Sequence, residues 1–148
     1  MSFEMRLTHT ASVGQVTDLD SALRDILERV GYLREDEHTE KSVAYRLAKE
    51  CFVLGSGRIW SVDEMLVFLR TSRPTLYRHL NRLKSLNIIE EVSLGPEWGN
   101  ARKGYRLRHG SLSRAWDFAE ADAANTLNAY RGSIESIQKL VEARTGVA

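Results

Sequence analysis

Apolar residues recur at helical spacing in five stretches of the chain and alternate with polar ones in two. In the first stretch Leu19, Leu23, Ile26, Leu27 and Val30 share one stripe. Thr17 is the expected cap, with Asp20 three residues on, and Gly31 is the expected stop. In the second, Val43, Leu47, Cys51 and Leu54 align behind Thr39 and end at Gly55-Ser56-Gly57. The third begins with Ser61 and Glu64 at capping-box spacing, ahead of Met65, Leu66, Phe68 and Leu69. The fourth, Arg73 to Asn87, carries Leu76, Leu80, Leu83 and Leu86 at steps of four, three and three. Ser72 can cap it, Pro74 is tolerated in its first turn, and Asn87 suits a left-handed stop. The fifth opens at Ser111 and runs to about Arg144.

The alternating stretches fall between the fourth and fifth helices. Ile88 to Leu94 is strand-like, and Gly95-Pro96 breaks it. In Lys103 to Arg108, Tyr105 and Leu107 alternate with Arg106 and Arg108, the pattern of a half-buried strand. Two helices joined through Thr71-Ser72 make a helix-turn-helix, and a hairpin directly after it makes a winged helix. The expected class is mainly α with a small β-hairpin, an α+β fold. A flexible or partner-ordered arm covers 1–16, the winged helix-turn-helix with its N-terminal helices covers 17–110, and a helical dimerisation region covers 111–148. In that last region Leu112, Trp116, Ala119, Ala123, Leu127, Tyr130, Ile134, Ile137 and Val141 step by threes and fours. Such a helix spans roughly 50 Å at 1.5 Å per residue, longer than one small domain covers. Its apolar stripe is therefore expected to pair with a second copy. Gly132 either kinks this helix or divides it in two.

Composition narrows the class without choosing a function. With 43% hydrophobic and 28% charged residues, the 148-residue chain can build an ordinary core. The single Cys51 excludes an internal disulfide, and its place in a stripe reads as a packed thiol. Met1 to Val16 lacks the apolar core of a signal peptide, and no apolar run reaches membrane length, so a cytoplasmic protein is expected.

Charge changes the picture. Net charge is only +1, but residues 58–108 hold ten Lys/Arg against five acids. Residues 1–57 hold seven against ten, and residues 109–148 four against five. A basic centre between slightly acidic flanks is expected of a segment that faces phosphates. Within it, no carboxylate occurs between Arg70 and Lys84. Opposite the leucines lie Pro74, Arg78, Asn81, Arg82 and Ser85. Ser72, Arg73, Thr75, Tyr77, Arg78, Asn81 and Arg82 are the candidate DNA-binding residues of this helix. Arg78 and Arg82 can offer guanidinium forks to guanine or phosphate, and Asn81 can pair with adenine. Ser72 and Thr75 suit phosphate oxygens at the helix N-terminus. Tyr77 either contacts a phosphate or wedges beside the hairpin. Arg102, Lys103 and Arg106 supply positioning charge from the wing. Trp98 at the hairpin tip is expected to pack back on its own strand, and His79 to be partly buried. The acidic run Glu35 to Glu40 reads as a solvated link.

These residues resemble the winged-helix regulators of the MarR superfamily, most closely its GbsR-like branch. The similarity covers about 42–110: Gly57-Arg58-Ile59, the SVDEMLVFL helix, RPTLYRHLNRLKSLNII, and a wing ending in Arg102-Lys103-Gly104-Tyr105. Asn87 stands where that family has glycine, the segment between Arg58 and Ser72 is shorter, and the loop LGPEWGNA is unusual. The resemblance implies a dimeric transcription regulator, with each recognition helix in a major groove and the terminal helices joining the subunits.

Four scattered histidines and the absence of HExxH, phosphate-loop or nucleophile motifs argue against an enzyme, and no cofactor or metal is expected. The expected partners are double-stranded DNA and a second copy, with any small-molecule effector unspecified and no membrane. The expected function is a sequence-specific regulator, most simply a repressor on a pseudo-palindromic operator. Its rivals are a winged-helix protein-interaction module and a nucleoid- or replication-associated protein that binds DNA without a preferred site.

Overall fold

The computed structural model describes residues 2–8, 18–55, 57–95 and 102–146. The chain is mainly helical with one small antiparallel sheet, an α+β arrangement. Helix α1 (Leu19–Arg29) opens at Asp18, whose carboxylate accepts from the Ser21 amide; Thr17 lies outside the described residues. Its stripe is narrower than expected. Leu23, Leu27 and Val30 are buried, whereas Leu19 and Ile26 stay exposed.

Helix α2 (Val43–Arg46) starts at Ser42 rather than Thr39, the Ser42 hydroxyl accepting from the Tyr45 amide. It continues as a π-helical stretch, Leu47–Val53, in which the Leu54 amide bonds back to the Lys49 carbonyl. The wider turn changes the phase of the stripe. Leu47, Ala48, Cys51 and Phe52 are buried, and Leu54, expected beside them, is 60% exposed.

Helix α3 (Val62–Leu69) carries the full capping box: the Glu64 amide donates to the Ser61 hydroxyl, and the Ser61 amide to the Glu64 carboxylate. It ends at Arg70 in the left-handed conformation (φ 52°). After Thr71 and Ser72 the chain enters α4 (Arg73–Ser85), with Ser72 as its cap. Leu76, Leu80, Leu83 and Leu86 are all buried in one core with Met65, Leu69, Ile89 and Leu107, as their spacing requires. Asn87 turns left-handed (φ 61°) and releases the chain into the sheet.

The sheet has three strands in the order β1-β3-β2: Trp60–Ser61, Lys103–Leu107 and Ile89–Ser93. Ile89 faces Leu107 and Glu91 faces Tyr105 across the hairpin, while Trp60 faces Tyr105 on the other edge. The first strand was not expected. Two residues carry no period, so only the partner strand defines it.

Helix α5 (Leu112–Thr145) is capped by Ser111 and runs unbroken for 34 residues, straight through Gly132. The first part of its stripe is not free for a partner. Ala115 and Ala119 are fully buried, Leu112 and Trp116 pack on the core, and the Asn87 amide donates to the Asp122 carboxylate. Small residues let this root lie close against the body. From Leu127 onward the stripe is exposed: Leu127, Tyr130, Ile134, Ile137, Leu140 and Val141 all face water in large part, Tyr130 by 62% and Leu140 by 71%. Leu127 and Tyr130 nonetheless border a cleft with Phe3, Met5 and Leu7 of the arm.

Over residues 2–8 the N-terminal arm is held to the body. The Glu4 amide donates to the Ser85 carbonyl at 2.9 Å, the Arg6 amide to the Val30 carbonyl at 3.0 Å, and the Thr8 amide to the Arg29 carbonyl at 3.1 Å. Gly31 permits this approach; its φ is +89°, and a Cβ there would sit 2.7 Å from the Arg6 Cβ. No helix among the described residues is long and apolar enough to cross a membrane.

Candidate nucleic-acid interface

Helix α4 buries its leucines and turns Pro74, Arg78 and Asn81 outward, all exposed. Arg78 has no ion-pair partner among the described residues. Tyr77 is half-exposed on the side towards the sheet. At the start of the helix, the Ser72 hydroxyl donates to the Thr75 hydroxyl at 3.0 Å and accepts from the Thr75 amide. Both hydroxyls are thus placed at the N-terminal end, where the helix dipole favours an anion. Arg73 pairs with Asp63 at 2.8 Å, but both side chains are largely in water. An ion pair so exposed holds its partners weakly and can be exchanged for a phosphate.

Arg82 does not belong with Arg78. Its guanidinium is turned from the outward face and forks onto Glu37, at 2.9 Å to Oε1 and 3.0 Å to Oε2. It also donates to the Tyr32 carbonyl and to His79 Nδ1, and its side chain is only 16% exposed. The acidic run is therefore not a solvated link throughout, because Glu37, at the end of a 3-10 turn (Glu35–Glu37), reaches back to α4. Burial raises the Glu37 carboxyl, but the hydrogen bonds from Arg82 and from the Arg34 amide outweigh it and hold it below its ordinary value. His79 is 2% exposed, and its pKa is pushed down to about 4, first by burial and then by the Arg82 charge. Glu37 lies 3.8 Å from His79, yet the ring stays neutral because its Nδ1 accepts from a guanidinium, which has only protons to give.

The hairpin lies beside α4. Arg102 is exposed and has no ion-pair partner among the described residues. Lys103 is exposed 3.6 Å from Glu91, which also lies 3.8 Å from Lys84 and accepts from the Tyr105 hydroxyl at 3.0 Å. Arg106 is less free, bonded to Glu90 at 2.8 Å across the strands. Arg108 reaches the Asn87 carbonyl at 3.1 Å and braces the base of the hairpin on the end of α4. Trp98 lies outside the described residues.

Of the candidates, Arg73, Tyr77, Arg78 and Asn81 are exposed on α4, Ser72 caps the helix and Thr75 lies part-exposed in its first turn, while Arg102 and Lys103 are exposed on the adjacent hairpin. It removes Arg82 and engages Arg106. Sequence reasoning passed over Tyr32 and Glu37, which hold Arg82. A glutamate has no signal for reaching a helix 45 positions away. Between α1, the π-helical stretch and the root of α5 lies an apolar cavity of about 640 Å³, bordered by Leu23, Phe52, Leu83 and Trp116. Comparison with known proteins finds no matching family model, no matching curated protein and no matching solved structure.

Proposed function

We propose that this chain is a winged helix-turn-helix protein of the MarR type that binds double-stranded DNA at preferred sites and regulates transcription. In this reading α4 enters a major groove, the β2–β3 hairpin follows the neighbouring backbone, and the far half of α5 joins two copies. The observation that carries it is the outward face of α4. Arg78 and Asn81 stand exposed on a helix whose opposite side is locked by buried leucines, with no carboxylate between Arg70 and Lys84. A rigid helix presenting a guanidinium and an amide can read base edges, whereas a basic hairpin contributes charge that positions the duplex.

The test is fluorescence-anisotropy binding to a duplex from upstream of the protein's own gene, beside a scrambled duplex, at about 50 and about 200 mM salt. Tight, site-preferring and salt-sensitive binding is expected, and Arg78→Ala is expected to cost about 1–3 kcal/mol on the preferred duplex. Equal binding to both duplexes would favour the nucleoid-type reading. A folded protein that binds neither would refute DNA binding at this site.

A further inference from the structure

A second basic feature lies at the edge of the α4 surface, built by a part of the chain that the charge pattern did not single out. The docked arm carries Arg6 to a cleft of about 220 Å³ whose border includes Arg34, Asn81 and Ser85. Arg6 and Arg34 are exposed, and neither has an ion-pair partner among the described residues. Arg82 also borders the cleft, but its charge is matched by Glu37. The one carboxylate on the border is Glu4, which is exposed and has no ion-pair partner among the described residues. Asp25, Glu28, Glu35 and Asp36 border the neighbouring cleft that Arg6 and Arg34 also line, with Asp25 bonded to Arg29. Asn81 belongs both to this cleft and to the outward face of α4 beside Arg78, so the cleft opens where a duplex on α4 would continue.

We infer that Arg6 and Arg34 together hold a phosphate of the DNA backbone flanking the groove that α4 occupies, with the arm acting as a clamp. Two unpaired guanidiniums at one small cleft offer several N–H donors in the planar geometry a phosphate accepts. The arm is held for this task by its three backbone hydrogen bonds and by the glycine it crosses. The inference rests on the DNA-binding reading and extends its footprint beyond the recognition helix and the hairpin.

The experiment measures binding of the full chain to the preferred and the scrambled duplex across a salt series. It compares wild type, Arg6→Ala, Arg34→Ala, the double variant and Gly31→Ala. Each lost phosphate contact lowers the slope of log affinity against log salt by about 0.9, or about a threefold smaller affinity drop between 50 and 200 mM. Arg6→Ala and Arg34→Ala are expected to show this on both duplexes alike, because a phosphate carries no base identity. Gly31→Ala is expected to expel the arm and reproduce the Arg6→Ala slope, with circular dichroism showing the helices intact. Unchanged slopes in the single and double variants, from a wild type that binds DNA, would overturn the clamp and leave the DNA-binding reading standing. A loss confined to the preferred duplex would also overturn it, since that would be base contact. A wild type that binds no duplex would overturn both.

Discussion

The Arg82–Glu37 fork separates an arginine held by the fold from Arg78, which is exposed on the same helix and would read DNA in the proposed function. Arg82→Met keeps most of the aliphatic stem and removes the guanidinium. It deletes two bonds to Glu37, one to the Tyr32 carbonyl and one to His79, and leaves the Glu37 carboxylate, 15% exposed, without its cation. Breaking a fully buried ion pair costs about 3–5 kcal/mol, because the surviving charge is stranded. Two features reduce that figure here. Each partner keeps some water, and the Arg82 Nε is already buried without a hydrogen-bond partner, so the native cluster is not fully satisfied. A loss of about 2–3 kcal/mol is expected, large against a typical domain stability of about 5–15 kcal/mol. The assay is urea unfolding at neutral pH, run with Glu37→Gln and the double variant. Once the charge is neutralised, removing the arginine should cost less, with a coupling of about 1 kcal/mol or more. An Arg82→Met protein within about 0.5 kcal/mol of wild type that nonetheless lost DNA binding would show that the guanidinium faces outward. That result would restore Arg82 to the reading face.

Other expectations follow from the same structure. His79 is buried neutral with its pKa near 4, so the unfolded chain binds the extra proton once pH falls below about 6.5. Stability should therefore be complete above that pH and fall by about 2 kcal/mol on reaching pH 5, an effect missing in a His79→Gln variant. Equal urea midpoints at pH 7 and pH 5 would contradict this. Burial pushes the Cys51 thiol up to about 12, so a disulfide-exchange reagent should leave it untouched in the native protein and label it fully in urea; rapid native labelling would place the thiol outside the core. Ile134→Glu with Ile137→Glu should convert a dimer to a monomer by light scattering without moving the circular-dichroism signal of the body. A wild type that is already monomeric at micromolar concentration would remove α5 as a dimer arm.

Signals that act within a turn or two of the chain were legible in the sequence. The Ser61–Glu64 box and the Ser72 cap are each satisfied within three residues, the α4 leucines mark one apolar face by their spacing, and Asn87 tolerates the left-handed stop through its own backbone preference. These signals can be read before knowing which surface each element meets. The π-helical stretch was not legible, because the pattern Val43, Leu47, Cys51, Leu54 fits an ordinary helix. Only packing of Phe52 and Cys51 into the core shows that Leu54 has been rotated out.

The amino-acid pattern alone thus settled the mainly helical class, the position of α4 with its buried leucines, and the hairpin that follows it, since all three are written in local periodicity. Which polar residues of α4 remain available was decided by tertiary contacts. Arg78 and Arg82 have the same chemistry one turn apart, and a loop from far upstream covers one and not the other. The same holds for α5, whose single apolar stripe is divided between a root packed on its own body, a stretch around Leu127 and Tyr130 bordered by the arm, and an exposed far end from Ile134. It holds also for the arm, whose residues 2–8 dock through backbone groups that every sequence possesses. Periodicity records which face of an element is apolar, but the surface that meets that face, or leaves it bare, is set by distant parts of the chain.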